Sequence, residues 1–144
     1  MIEHRRVNRV SSNFSVSINL CKTDNENTPI GIPVKGRIVN YTPCGACLYL
    51  DKIKCSDHHI FYTTQGHENH IVSIEYTTDD EDDSLVIYGK PAWYDLLSSE
   101  TDSEKFKMGI DFLVEQDKKT FQEFLAKLAS QQVAREGWLR RLFK

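Results

Sequence analysis

Two short stretches hold residues whose types and spacing suit ligand chemistry. The first is His4-Arg5-Arg6-Val7-Asn8-Arg9, with three arginines in five positions near the N-terminus. A guanidinium is planar, forked and always charged, so it can pair side by side with phosphate oxygens or with the O6/N7 edge of guanine. Three such forks can close on a ligand that is anionic, planar or both. Taken alone, the same residues also describe a solvated chain terminus. The second stretch is Asn40-Tyr41-Thr42-Pro43-Cys44-Gly45, which leaves one extended run and turns into the next. Asn40 and Thr42 are two positions apart, so in extended backbone their side chains share a face. Gly45 frees the backbone for a positive φ or for close approach of a ligand.

A rival set overlaps the second stretch. Cys44-Gly45-Ala46-Cys47 is a C-x-x-C run, followed by Cys55, His58, His59, His67 and His70. Cys44, Cys47, Cys55 and His58 have the donor types of a tetrahedral zinc site. Against it, Cys47 alternates with Leu48 and Leu50 in an extended run, so the two thiols face different surroundings, and free cysteine is a common buried residue. No metal is therefore expected, with zinc kept as the alternative. Trp93 is either a core residue or an indole on which a base could stack. The chain has no G-x-S-x-G, no H-E-x-x-H and no phosphate-cradling glycine loop, so no enzymatic activity and no cofactor are expected.

These residues need elements to position them, and the chain supplies mostly strands. Phe14 to Leu20 alternates apolar and polar without a break, the period of a strand with one buried face. Val34–Val39, Ala46–Leu50, Ile60–Tyr62, Ile71–Tyr76, Leu85–Tyr88 and Met108–Val114 are further extended runs, and Pro91–Tyr94 extends or follows the Leu85 run. Thr23–Pro33 reads as turn chemistry, and Leu97–Lys105 as polar loop. The acidic block Asp79-Asp80-Glu81-Asp82-Asp83 is expected at a solvated hairpin tip. Short strands without helices between them predict an antiparallel barrel or sandwich. The period then changes: Phe121, Phe124, Leu125 and Leu128 form one apolar helical stripe, capped by Asp117 or Thr120. Gly137 is expected to end or kink that helix, leaving an amphipathic tail in which Trp138, Leu142 and Phe143 could dock on the barrel, a partner or a membrane surface.

The 144 residues, 40% hydrophobic and 27% charged, suit one globular domain. A net charge of −3 argues against a nucleic-acid polymer as partner. One arginine cluster in an acidic chain points instead to a small anionic ligand. No apolar run reaches the ~18 residues needed to span a bilayer, and the N-terminus lacks a secretory core, so membrane contact is not expected and a cytoplasmic location is.

In combination, R-x-x-x-R at Arg5–Arg9 and Asn40-x-Thr42-x-x-Gly45, a variant of [D/N]-x-S-x-x-G, resemble the PilZ domain family of bacterial cyclic di-GMP receptors. Lys107-Met108-Gly109-Ile110-Asp111-Phe112-Leu113 looks like the closing strand of that family, so the resemblance runs from about Arg5 to Leu113. It implies a mainly β fold, an antiparallel six-stranded β-barrel with a C-terminal α-helix. The division it suggests is an arginine arm at 1–12, a barrel at 13–115, a helix at 117–136 and a tail at 137–144. It implies cyclic di-GMP as ligand, with Arg5 and Arg9 as motif arginines and Arg6 beside them. The Asn40 amide oxygen would accept from guanine N1–H and N2–H₂, Thr42 would add a hydroxyl, and Gly45 would leave room for the turn. Trp93 is a looser candidate for stacking. A protein partner is also implied, and family members without the motifs act through protein contacts alone. Thr42 stands where the family has serine. Cys44 stands where many members have glycine, at a cost of about 1 kcal/mol if that position needs a positive φ.

Overall fold

The computed structural model describes residues 10–24, 26–66, 69–77, 84–97 and 104–142. The first strand, β1 (Val10–Lys22), places Phe14, Val16, Ile18 and Leu20 inward, all buried, as their alternation with polar residues predicts. It pairs antiparallel with β2 (Pro29–Thr42) on one side and β6 (His70–Thr77) on the other. β3 (Gly45–Leu50), β7 (Ser84–Leu96) and β8 (Phe106–Phe112) complete a closed six-stranded barrel in the order β1-β2-β3-β8-β7-β6. All its pairings are antiparallel. Closure satisfies the backbone ladder all round, so the barrel has no open edge. Its interior is filled by Ile18, Ile38, Leu48, Leu50, Ile74, Ile87 and Met108, each with 0% exposure.

The predicted hairpin tip at Asp79–Asp83 lies outside the described residues; the flanking strands pair up to Thr77 opposite Ser84. Two predictions about local structure fail nearby. Pro29–Pro33, read as turn, belongs to β2. Ile60–Tyr62, read as strand, begins a short helix, α1 (Ile60–Gly66), entered through the two-stranded pair β4 (Lys54–Cys55) and β5 (His58–His59). The helix forms because its start and its inner face are satisfied locally. His59 Nδ1 accepts from Tyr62 N–H at 3.1 Å in the manner of a cap. Ile60 and Thr64, four apart, are both fully buried, and the Thr64 hydroxyl donates back to the Ile60 carbonyl at 2.9 Å.

The long helix α2 (Lys118–Leu142) seals the barrel with the predicted stripe. Phe124 and Leu128 are fully buried, Phe124 meets the ring of Phe14 edge-on at 5.6 Å, and Phe121 meets Phe112 at 5.3 Å. Asp117 is the cap. Its carboxylate accepts from the Thr120 N–H at 2.9 Å and the Thr120 hydroxyl at 2.6 Å, bonds that hold its pKa below the usual carboxylate range. Gln116 ties this junction to the sheet: its amide exchanges two 3.0 Å bonds with the backbone of Tyr88, as a strand residue would. The helix runs through Gly137 to Leu142 instead of ending there. A glycine in a helix interior costs only about 1 kcal/mol, too little to stop a long helix by itself. Trp138 and Leu142 therefore fall within α2, while Phe143 lies outside the described residues.

Candidate functional site

The β2–β3 connection is a tight one: Thr42 pairs with Gly45, leaving Pro43 and Cys44 as the loop. The Thr42 hydroxyl oxygen accepts from the Cys44 N–H at 3.1 Å, and the Cys44 carbonyl accepts from the Phe112 N–H at 2.9 Å. Thr42 thus braces the loop while its hydroxyl hydrogen stays available to a ligand. Positive φ occurs among the described residues at Asn27, Ser56 and Gly31, not at Cys44 or Gly45. The strain considered for Cys44 does not arise. Gly45 is needed for another reason: a Cβ there would sit 2.4 Å from the carbonyl oxygen of Ile110 on β8. Gly45→Ala is expected to lower the unfolding free energy by about 1–3 kcal/mol, since backbone and not a flexible side chain must yield. A urea denaturation curve reads this as a lower midpoint; an unchanged midpoint would mean that β3 and β8 part freely.

Trp93 reaches the same place from β7. It pairs with Gly109 of β8, and a Cβ on Gly109 would lie 2.2 Å from the indole Nε1 and 2.4 Å from Cε2. The indole therefore lies across the bare backbone of Gly109. Trp93 is 39% exposed, so it is not a core residue. Irregular pairing falls beside both key positions, between Ile38 and Asn40 on β2 and between Pro91 and Trp93 on β7. Such bulges re-aim side chains without ending a strand.

The result is one open cavity of about 160 Å³ on the outer wall of the barrel. Asn40, Thr42, Cys44, Gly45, Trp93 and Asp111 all line it. Asn40, Thr42, Gly45 and Trp93, all expected from the sequence to bind ligand, are thus brought together. Arg5, Arg6 and Arg9 lie outside the described residues. Asp111 and Gly109 are additions. Gly109 belongs to the closing strand noted above, but its role as the seat of an indole is visible only in the β7–β8 pairing. Asp111 is the one charged residue among the described lining, and no described lining residue is a cation.

The zinc set is not assembled. Among the described residues no group of three or more His, Cys, Asp or Glu side chains is placed to hold a metal ion. Cys55 is fully buried in the core with its Sγ 4.0 Å from the carbonyl of Ile18, and burial pushes its thiol pKa up, against the thiolate that zinc requires. Cys44 and His58 are exposed and Cys47 is buried. All four cysteines are free of disulfides.

No family model and no curated protein matches the sequence. By structure, the PilZ domain of YcgR from Escherichia coli, solved with c-di-GMP, matches with a TM-score of 0.54 at 11% identity, over 94% of this chain and 97% of that one. The fold is PilZ-like. The PlzA protein of Borreliella burgdorferi, solved in complex with c-di-GMP, is also similar, with a TM-score of 0.49 at 12% identity over 88% of this chain and 54% of that chain. In this PilZ-like barrel the cavity opens on the face shared by β2, β3, β8 and β7, and none of the helices in the described residues is long and apolar enough to cross a membrane.

Proposed function

We propose that this PilZ-like protein is a cyclic di-GMP receptor that acts in the cytoplasm as an adaptor, without catalysis or a cofactor, and passes ligand occupancy to a protein partner. The observation that carries the reading is the meeting of Asn40, Thr42 and Gly45 with Trp93 in one cavity. Cyclic di-GMP has two flat bases rich in N–H donors and two phosphates. The cavity suits the first half of that description. An exposed indole can stack on a guanine, a contact worth about 1–3 kcal/mol per base. The Asn40 amide and the Thr42 hydroxyl can bond its edge. The phosphates require cations that the described lining lacks, and Arg5, Arg6 and Arg9 are the residues proposed to bring them. On this reading the residues before β1, which begins at Val10 and not after residue 12 as the sequence suggested, form an arm of the same domain that closes over the occupied cavity, a ligand-ordered segment of the kind used in many switches.

Calorimetric titration of the full chain with cyclic di-GMP tests the proposal. Binding at about 1 μM or tighter, near −8 kcal/mol, is the expected result. Absence of heat from folded protein at tens of micromolar would overturn it and leave a PilZ-like interaction module.

A further inference from the structure

The sequence places Asp111 only as a position of the closing strand, yet it lines the cavity. It pairs across one strand boundary with Gly45 and lies two residues from Gly109, on which the Trp93 indole rests. Two residues along a strand span about 7 Å, so the carboxylate stands beside the indole and not above it. That is where the edge of a base stacked on the ring falls. The side chain is exposed, and among the described residues it meets neither a hydrogen-bond donor nor an ion-pair partner. The described cavity lining supplies no cation, while the ladder partner of Asp111 on β7 is Lys90, with which it forms no ion pair.

We infer that Asp111 is the residue that makes this site specific for guanine, by accepting the N1–H and N2–H₂ donors of a base stacked on Trp93. This rests on the cyclic dinucleotide reading of the cavity and adds which base it takes. A carboxylate is acceptor-only and has two oxygens at the separation of two adjacent N–H donors, so guanine satisfies both. Adenine presents a bare ring nitrogen at the same edge and would set a lone pair against the negative charge. A carboxylate has no donor to offer a phosphate. Asn40 offers one neutral acceptor and cannot by itself separate the bases as strongly. The two residues therefore divide the work, with Asp111 facing the base stacked on Trp93 and Asn40 contributing from β2.

The test pairs protein variants with ligand variants. Cyclic di-GMP and its inosine analogue, which lacks only the 2-amino group, are titrated into wild type and Asp111→Ala. Wild type should prefer cyclic di-GMP by about tenfold or more, the value of a charge-assisted hydrogen bond, and Asp111→Ala should bind the two within about twofold. In Asp111→Asn one acceptor becomes a donor, so the xanthine analogue, with a carbonyl at position 2, should gain on cyclic di-GMP relative to wild type. An unchanged preference for guanine over inosine in a folded Asp111→Ala overturns the assignment to Asp111 and leaves the receptor reading standing. Wild type that binds neither ligand overturns both. The exposed position lets the far-UV spectrum and melting temperature of each variant confirm folding.

Discussion

Arg9→Ala is expected to weaken cyclic di-GMP binding by about 10- to 100-fold, the range for losing one hydrogen-bonded partner of a charged group. The cavity itself makes the case. Its described lining offers an aromatic plane, amide and hydroxyl groups and one carboxylate, with no positive charge to meet two phosphates. A dianion brought against Asp111 without compensating cations would be repelled, so binding depends on charge from outside the lining. Arg5, Arg6 and Arg9 form the densest cationic segment that can serve. Arg9→Lys separates charge from geometry. A lysine keeps the charge but loses the planar fork, so an affinity between those of wild type and Arg9→Ala is expected. Raising salt should also cost wild type more affinity than Arg9→Ala. Lys127→Ala, at an exposed position of α2, provides a charge-matched control and should bind as wild type does. Equal affinity of wild type and Arg9→Ala at low salt would remove the arm from the site.

Phe124→Ala should produce the largest loss of stability, about 3–5 kcal/mol, as for large aromatic truncations in sealed cores. Phe124 is completely buried, and its ring meets Phe14, which in turn packs on Tyr76 at 4.2 Å between ring centres. The helix thereby packs on β1 and β7. Deleting the ring removes apolar contact and leaves a hole that a closed barrel cannot collapse into. A domain of this size has about 5–15 kcal/mol to lose, so the variant should melt well below wild type and populate unfolded chains under mild urea. A loss under about 1 kcal/mol would show that α2 contributes little to the core, against its zero exposure at Phe124 and Leu128.

The barrel was legible because its cause is local. Alternation from Phe14 to Leu20 states which face is buried, and the stripe from Phe121 to Leu128 states where helix replaces strand. The failures have local causes too. Ile60-Phe61-Tyr62 looks like strand because its β-branched and aromatic residues favour extended structure. It is helical because His59 and Thr64 satisfy its backbone and because one turn suffices to bury Ile60 with Thr64. Gly137 does not end the helix, which continues to Leu142. In the site, Asn40, Thr42 and Gly45 are close in sequence, and their pattern is readable. The conjunction of Trp93, Gly109 and Asp111 with them follows from strand order, since β3 pairs with β8 and β8 with β7. Side-by-side placement of strands distant in sequence leaves no periodic trace. From sequence Gly45 offers a positive φ or close approach of a ligand; it has no positive φ, and what a side chain there would meet is the Ile110 carbonyl.

The loop of Pro43 and Cys44 has a second neighbour besides the ligand cavity. On its other side a separate hollow is bounded by Pro43 and Cys44 together with Phe112, Lys118 and Phe121, at the base of α2. Cys44 thus belongs to two compartments at once, and its carbonyl is pinned to the last residue of β8. A shift of this peptide therefore alters the lining of both hollows, so the two chambers share a single residue as their common boundary.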